Sequence, residues 1–255
     1  NKKNSIEEIF VEAFKNLEKN NLDAAEKLFD EVLKMDQNHF KANFFLASML
    51  LQKRQFEKAK ELFLKAISIN PNYSEPYNNL GIAMKELGQK SESITYFQKA
   101  IQIEPNHKMA HNNLGIALKE LGKYQEAINS YEKAIEVDPN NTNAFNNLGI
   151  IFTEFGDIKK STSYFKKAIE IQTNNKLAHA NLLFNLCWLN SSKEYLDLSK
   201  KYYNLIPDYS ERYSFHTSRE KFLKVGFVSG DFKNHPVAYF LIDTLKNYYA
   251  PIHVI

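Results

Sequence analysis

NNLGIAMKELG (78–88) recurs as NNLGIALKELG (112–122) and again as NNLGIIFTEFG (146–156), each time after a step of 34 residues. The same step joins Pro71, Pro105 and Pro139, and carried outward it reaches Gln37 and Thr173. It also joins the aromatic series Phe29, Phe63, Phe97, Tyr131 and Phe165. A fixed period of this length marks stacked supersecondary units, each unable to bury its apolar face alone. The units are expected at 6–39, 40–73, 74–107, 108–141 and 142–175, with a sixth first helix at 176–189.

Each unit reads as helix–turn–helix. Gly81, Gly115 and Gly149 fall in mid-helix, where glycine costs about 1 kcal/mol relative to alanine. That cost makes sense if the missing side chain lets the two helices of a unit approach closely, with small Ala100 and Ala134 at the matching contact. Gly88, Gly122 and Gly156 suit the left-handed residue that ends a helix. The prolines then stop the second helix, because proline lacks the N–H and clashes with the preceding turn. A 34-residue helix–turn–helix unit with this residue order resembles the tetratricopeptide repeat, which implies an all-α solenoid wound as a right-handed superhelix. The first unit departs from the pattern, with Ala13 for the mid-helix glycine, Asn20 for the turn glycine and Gln37 for the proline. Either a terminal cap or an array cut short upstream fits these substitutions.

Composition narrows the function classes. At 44% hydrophobic and 25% charged residues the chain has the make-up of an ordinary soluble protein, and no apolar run approaches a membrane span. No membrane partner is therefore expected, and a cytoplasmic location is. Asn1 opens the chain with no charged-then-apolar leader behind it, so no secretory signal is expected, and the absence of an initiator methionine points to a fragment of a longer protein. Cys187 is the sole cysteine, which leaves no disulfide framework and no cysteine cluster for zinc. A formal charge of +3, with Lys–Glu neighbours such as Lys85–Glu86 and Lys119–Glu120, reads as a solvated surface rather than a nucleic-acid stripe.

The pattern changes after residue 190. LDLSKKYYNLI (196–206) still reads as helix, and PDYSERYSFHTSREK (207–221) is polar and without period, so 191–221 is a helical transition and linker. FLKVGFVSG (222–230) has the β-branched and aromatic content of a buried strand. A loop, GDFKNHP, and a helix, VAYFLIDTLKNYY, come next, before PIHVI begins a second strand. This is the opening βαβ unit of a Rossmann-like α/β domain, truncated at 255.

LKVGFVSGDFKNHPVAYFL (223–241), directly downstream of the repeats, is similar to the start of the catalytic region of the O-GlcNAc transferase and SPINDLY glycosyltransferases. The matching residues are Leu223, Val225, Gly226, Phe227, Val228 and Ser229, then Asp231–Phe232, then Asn234–His235–Pro236. NLLFNL (181–186) also looks like bacterial members. The resemblance implies transfer of a sugar from a nucleotide-diphosphate donor, UDP-GlcNAc or a fucose donor, to Ser or Thr hydroxyls of proteins, with inversion and without metal or cofactor. It places the donor site in a second domain beyond Ile255, so these residues alone are expected to be inactive. Acceptor proteins or extended peptides are the implied partners, held by the repeats.

His235 is the candidate for chemistry. It lies just after the first expected strand, where open α/β sheets place their sites, and Pro236 suits the first turn of a helix. The positive end of that helix disfavours imidazolium and keeps the ring neutral, as a proton acceptor requires. By resemblance this histidine takes the proton of the attacking hydroxyl; alternatively it caps a helix. Asp231, with Asn234 and Pro236, would support the loop, Asp231 through an Asx turn.

Asn79, Asn113, Asn147 and Asn181 form a second constellation, one residue per first helix. Packed helices lie about 8–10 Å apart and an extended peptide advances about 3.3–3.6 Å per residue, so one asparagine meets a threaded peptide at about every third residue. A carboxamide offers donor and acceptor together, matching a peptide unit whatever its side chain, and by resemblance such a ladder holds acceptor backbones. The alternative is that these asparagines bond neighbouring helices, which applies with more force to Asn78, Asn112 and Asn146. The residues three further on, Ile82, Ile116, Ile150 and Phe184, are apolar, which argues against a carboxylate clamp. His107, His111 and His179 have no metal-ligand spacing and read as surface or packing residues; Gly226 and Gly230 do not make a phosphate loop.

Two functions therefore compete: the N-terminal part of a protein O-glycosyltransferase, and a non-enzymatic repeat adaptor. In both, nearest-neighbour interfaces supply the stability of the array. A chain ending at Asn190 is expected to keep its helical circular dichroism; loss of most of that signal would show that the repeats depend on residues 191–255 for their stability.

Overall fold

The structure, a computed structural model, describes residues 2–189 together with Glu194, Asp197 and Leu198. The chain divides into two units, Asn1–Ile206 and Pro207–Ile255. The second unit lies outside the described residues, and so does the strand–loop–helix–strand expected at 222–255.

Among the described residues the first unit is all-helical, a solenoid of eleven helices. These are α1 (Lys2–Glu18), α2 (Leu22–Met35), α3 (Phe40–Gln52), α4 (Phe56–Ile69), α5 (Ser74–Glu86), α6 (Lys90–Ile103), α7 (Lys108–Glu120), α8 (Tyr124–Val137), α9 (Thr142–Glu154), α10 (Ile158–Ile171) and α11 (Lys176–Trp188). The odd-numbered helices are the first of each unit. From α3 to α11 each of them touches the next odd-numbered helix, while the second helices pack on first helices. The first helices thus form the tighter, inner layer.

The second helices are held by three buried positions in one stripe: Ala25, Phe29 and Val32 on α2, Ser93, Phe97 and Ala100 on α6, Ser161, Phe165 and Ala168 on α10. The spacing i, i+4, i+7 puts all three on one face. The aromatic residue in the middle explains the mid-helix glycines. A Cβ on Gly81, Gly115 or Gly149 would stand 2.6, 2.6 or 2.5 Å from the ring of Phe97, Tyr131 or Phe165, respectively. The expected partner across this contact, the small alanine of the second helix, is instead its buried neighbour; the ring occupies the space.

The turns between paired helices need one left-handed residue. Gly88, Gly122 and Gly156 supply it with φ of 81°, 74° and 76°. Asn20 and Arg54 take the same place with φ of 59° and 60°. The closing bonds are the same with or without glycine: Gln89 N donates to Met84 O at 2.9 Å and Gln55 N to Leu50 O at 2.8 Å. These span the six residues of a Schellman turn. Proline proves equally dispensable at the other end. The second helices stop at Met35 and Ile171, ahead of Gln37 and Thr173, as they stop at Ile69, Ile103 and Val137 ahead of the three prolines.

The histidines among the described residues meet backbone groups at the starts of the first helices. His39 and His107 accept through Nδ1 from the N–H groups of Ala42 (3.1 Å) and Ala110 (3.4 Å), capping α3 and α7. Asn141 and Asn175 do the same for α9 and α11 through Ala144 and Ala178. These side chains meet helix N–H groups that have no partner within the helix. The ring Nε2 of His111 and of His179 lies 2.8 Å from the carbonyls of Pro105 and Thr173. Only an N–H satisfies a carbonyl, so Nε2 carries hydrogen in both rings. Tyr77 makes the corresponding bond to Pro71 O at 3.2 Å and Asn43 to Gln37 O at 3.0 Å.

Tyr131 stands where four other units carry phenylalanine, and its buried hydroxyl has no hydrogen-bond partner among the described residues. Burial, reinforced by Glu120 and Glu154, pushes the phenol up and out of its ordinary range, so it stays neutral. An unpartnered buried polar group costs about 1–3 kcal/mol. Tyr131→Phe is therefore expected to raise the thermal midpoint followed by circular dichroism, whereas a lowered midpoint would mean that the hydroxyl has a partner.

Candidate functional site

The asparagine row lies on the inner layer, on α5, α7, α9 and α11, and all four side chains are half-buried. The first two units carry Val11 and Phe45 at the same position, so the row begins only at the third. Its carboxamides are joined from unit to unit. Asn113 Nδ2 donates to Asn78 Oδ1 at 2.9 Å, and Asn147 Nδ2 donates to Asn112 Oδ1 at 3.4 Å. Asn78 in turn donates to Asn79 Oδ1 at 3.1 Å, and Asn79 to Ser48 Oγ at 3.5 Å. A polar chain therefore runs from α7 through α5 to α3. The bonds of Asn113 and Asn147 each pair one residue of the row with the adjoining asparagine of the preceding unit, whereas Asn79, whose preceding unit has Phe44 there, reaches Ser48. At the last step the bond is unmade: Asn181 Nδ2 and Asn146 Oδ1 are both buried without a partner among the described residues.

Ile82, Ile116, Ile150 and Phe184 stand beside the row, all half-buried. Further along the same helices Lys85 Nζ lies 3.8 Å from Glu120 and Lys119 Nζ lies 3.5 Å from Glu154, with Lys90 also on Glu120 at 3.0 Å. These solvated pairs contribute little each, but they leave the inner face without a block of one charge. The face can therefore take an uncharged, extended chain: amides for its backbone, hydrocarbon for part of its side chains. Among the described residues no group of three metal-ligating side chains comes together, and no helix is long and apolar enough to cross a membrane.

His235, Asp231, Asn234 and Pro236 lie outside the described residues. Thr153 of α9, Ser161 of α10 and Asn185 of α11, by contrast, are brought together where the three helices meet, although nothing singled them out in the sequence. The signal for them is a break in register: Asn185 stands where Ala83, Ala117 and Ile151 stand.

Comparison with known proteins agrees with this geometry. The tetratricopeptide-repeat family matches residues 16–81, 74–107, 109–141 and 130–161, together more than half of the chain. The chain belongs to the tetratricopeptide-repeat family. Solved structures similar to it include MamA, at 27% identity and a TM-score of 0.58 over 63% of this chain and 94% of MamA. Another is YrrB, described as a TPR protein with an unusual peptide-binding site, at 25% identity and a TM-score of 0.57 over 69% of this chain and 95% of YrrB. PilF of Pseudomonas aeruginosa has a TM-score of 0.69 over 82% of this chain and 96% of its own, at 16% identity, which shows the shared fold alone. No curated protein sequence matches the chain. Tetratricopeptide-repeat proteins bind peptides or proteins, and this array is suited to that interaction.

The bond between Asn113 and Asn78 gives the row a measurable structural share. A neutral hydrogen bond nets about 0.5–1.5 kcal/mol, so Asn113→Ala and Asn78→Ala should show a coupling of about that size in a double-mutant cycle of unfolding free energies. Strict additivity would mean that the bond contributes nothing.

Proposed function

We propose that this chain is the acceptor-binding part of a protein O-glycosyltransferase. The repeats hold an extended polypeptide along Asn79, Asn113, Asn147 and Asn181, and residues 222–255 open the domain that carries out the transfer. The observation that carries this reading is the sequence LKVGFVSGDFKNHPVAYFL (223–241) standing directly behind the repeats. In the reaction a Ser or Thr oxygen attacks the anomeric carbon of a nucleotide-diphosphate sugar. The bond to the nucleoside diphosphate breaks, the leaving phosphate keeps the electron pair, and neutral His235 takes the hydroxyl proton. The peptide-holding half of the proposal draws support from the amide row on the inner layer and from the likeness to YrrB. A non-enzymatic adaptor is the second reading, favoured by the confinement of every family match to residues 16–161.

The full-length protein tests both. Incubated with labelled UDP-GlcNAc or GDP-fucose and unstructured Ser/Thr-containing peptides, it should transfer sugar to hydroxyls, and His235→Ala should lower turnover by about 10²–10⁴-fold with peptide binding unchanged. Replacing the four row asparagines by alanine should weaken several unrelated peptides alike, from starting affinities of about micromolar to millimolar. Absence of transfer from either donor, with peptide binding retained, would favour the adaptor. Turnover of His235→Ala within a few-fold of the parent would reduce His235 to a helix cap.

A further inference from the structure

Carried one unit past α11, the 34-residue step reaches Asn190, Ser191 and Pro207. Asn190 falls at the left-handed turn position that Gly156 fills with φ of 76° and Asn20 with φ of 59°. Ser191 falls at the cap position, where Asp157 accepts from Lys160 N at 3.0 Å, and serine is a good cap. Pro207 falls in line with Pro71, Pro105 and Pro139, and the first compact unit of the chain ends one residue before it, at Ile206. The same step carries Ile158–Ile171 of α10 onto 192–205.

The described residues of that stretch keep the register. Glu194, Asp197 and Leu198 are all helical. Glu194 and Asp197 are exposed, as Lys160 and Ser163 are one step earlier. Leu198 is half-buried against Phe165, Leu182 and Leu186, just as half-buried Tyr164 and Tyr96 pack on the cores beneath them. Glu194 also meets Lys166 of α10 at 2.6 Å.

One contact is written differently. In units two to five the stripe on the second helix reads small, ring, small, as in Ser161, Phe165 and Ala168, and the ring faces glycine or alanine. In unit six the same stripe reads Tyr195, Ser199 and Tyr202, and the glycine position is Leu183. Bulk and space have changed places on both helices together. A leucine could not face a ring seated like Phe165, since even a Cβ on Gly149 would stand 2.5 Å from it. Facing serine it has room, and an exchange that conserves volume is the kind a packed core tolerates.

We infer that residues 190–206 complete a sixth repeat: its second helix, over 192–205, docks on α11 with Leu183 seated over Ser199 in place of a ring over glycine. Asn181, the last asparagine of the row, then stands in a closed unit, and the linker ahead of residue 222 shortens from 191–221 to 207–221. The inference holds whether or not the chain serves a glycosyltransferase.

Reversing the exchange in the full chain tests it, with hydrogen exchange read by mass spectrometry. Leu183→Gly empties the contact and Ser199→Phe overfills it, so each alone should speed exchange of α11 amides by at least about tenfold. The two together recreate the contact of preceding units and should exchange more slowly than either single variant. Should the double variant lose its helical circular dichroism, the unaltered chain still decides. Its amides over 195–202 should exchange at least about tenfold more slowly than in an unstructured peptide of the same sequence. Exchange at the peptide's rate overturns the sixth repeat, and folded variants whose effects simply add overturn the exchanged contact.

Discussion

One contact organises the array: an aromatic ring on each second helix seated against a residue with little or no side chain on the first. Phe97, Tyr131 and Phe165 are almost wholly buried, and each closes to a distance at which not even a methyl fits on Gly81, Gly115 or Gly149. Burying a ring removes a large apolar area from water, and glycine in mid-helix costs about 1 kcal/mol, so the ring wins. The contact also aligns the pair. A ring fits over a gap in only one register, so the two helices of a unit cannot slide past one another. Ala13 and Ala47 stand at this position in the first two units, fully buried, which shows that smallness is the requirement.

With the pair aligned, every other feature can vary. Left-handed turns form at Asn20 and Arg54 without glycine, second helices end ahead of Gln37 and Thr173 without proline, and Tyr73 precedes α5 without a side-chain cap. Each of these devices is worth typically about 1 kcal/mol, below the roughly 1.5–3 kcal/mol that burying a ring supplies. Stability in a repeat array is close to a sum over neighbours, so a unit that lacks one device leaves the others unaffected.

The same logic explains what the sequence shows and what it conceals. The period, the helix pairs and the turn residues are legible because the aromatic series, NNLG and the turn glycines recur together at 34 residues. The partner of the mid-helix glycine is not legible, since small residues and rings alternate along the same stripe and only packing tells which meets which. The histidines are illegible for a different reason. His107, His111 and His179 have no common spacing to a ligand, yet each meets a backbone group at the start of its helix or in the turn ahead of it. Such bonds are formed by position in the unit, where Asn141 or Tyr77 serves equally well. The cluster of Thr153, Ser161 and Asn185 is written in the sequence only as separate departures from register, Thr153 where Lys119 stands and Asn185 where Ile151 stands, and nothing in the sequence says that they meet.

The asparagine row brings structure and binding into the same side chains. Packing and peptide recognition look like rival uses, but a carboxamide has two N–H donors and an oxygen with two lone pairs. The bond from Asn113 to Asn78 occupies one N–H, and half-burial keeps the remainder of the group within reach of the surface. A free asparagine on a helix swings among rotamers, and fixing it against a peptide costs side-chain entropy. An asparagine already held by its neighbour has lost that freedom on folding. In the proposed reading the unit-to-unit bonds therefore lower the cost of binding by presenting the unused donor and acceptor in a set orientation, the principle by which preorganisation raises affinity. The row can be structural between Asn113 and Asn78 and receptive towards a threaded chain at the same residue, because the two uses draw on different atoms of one amide.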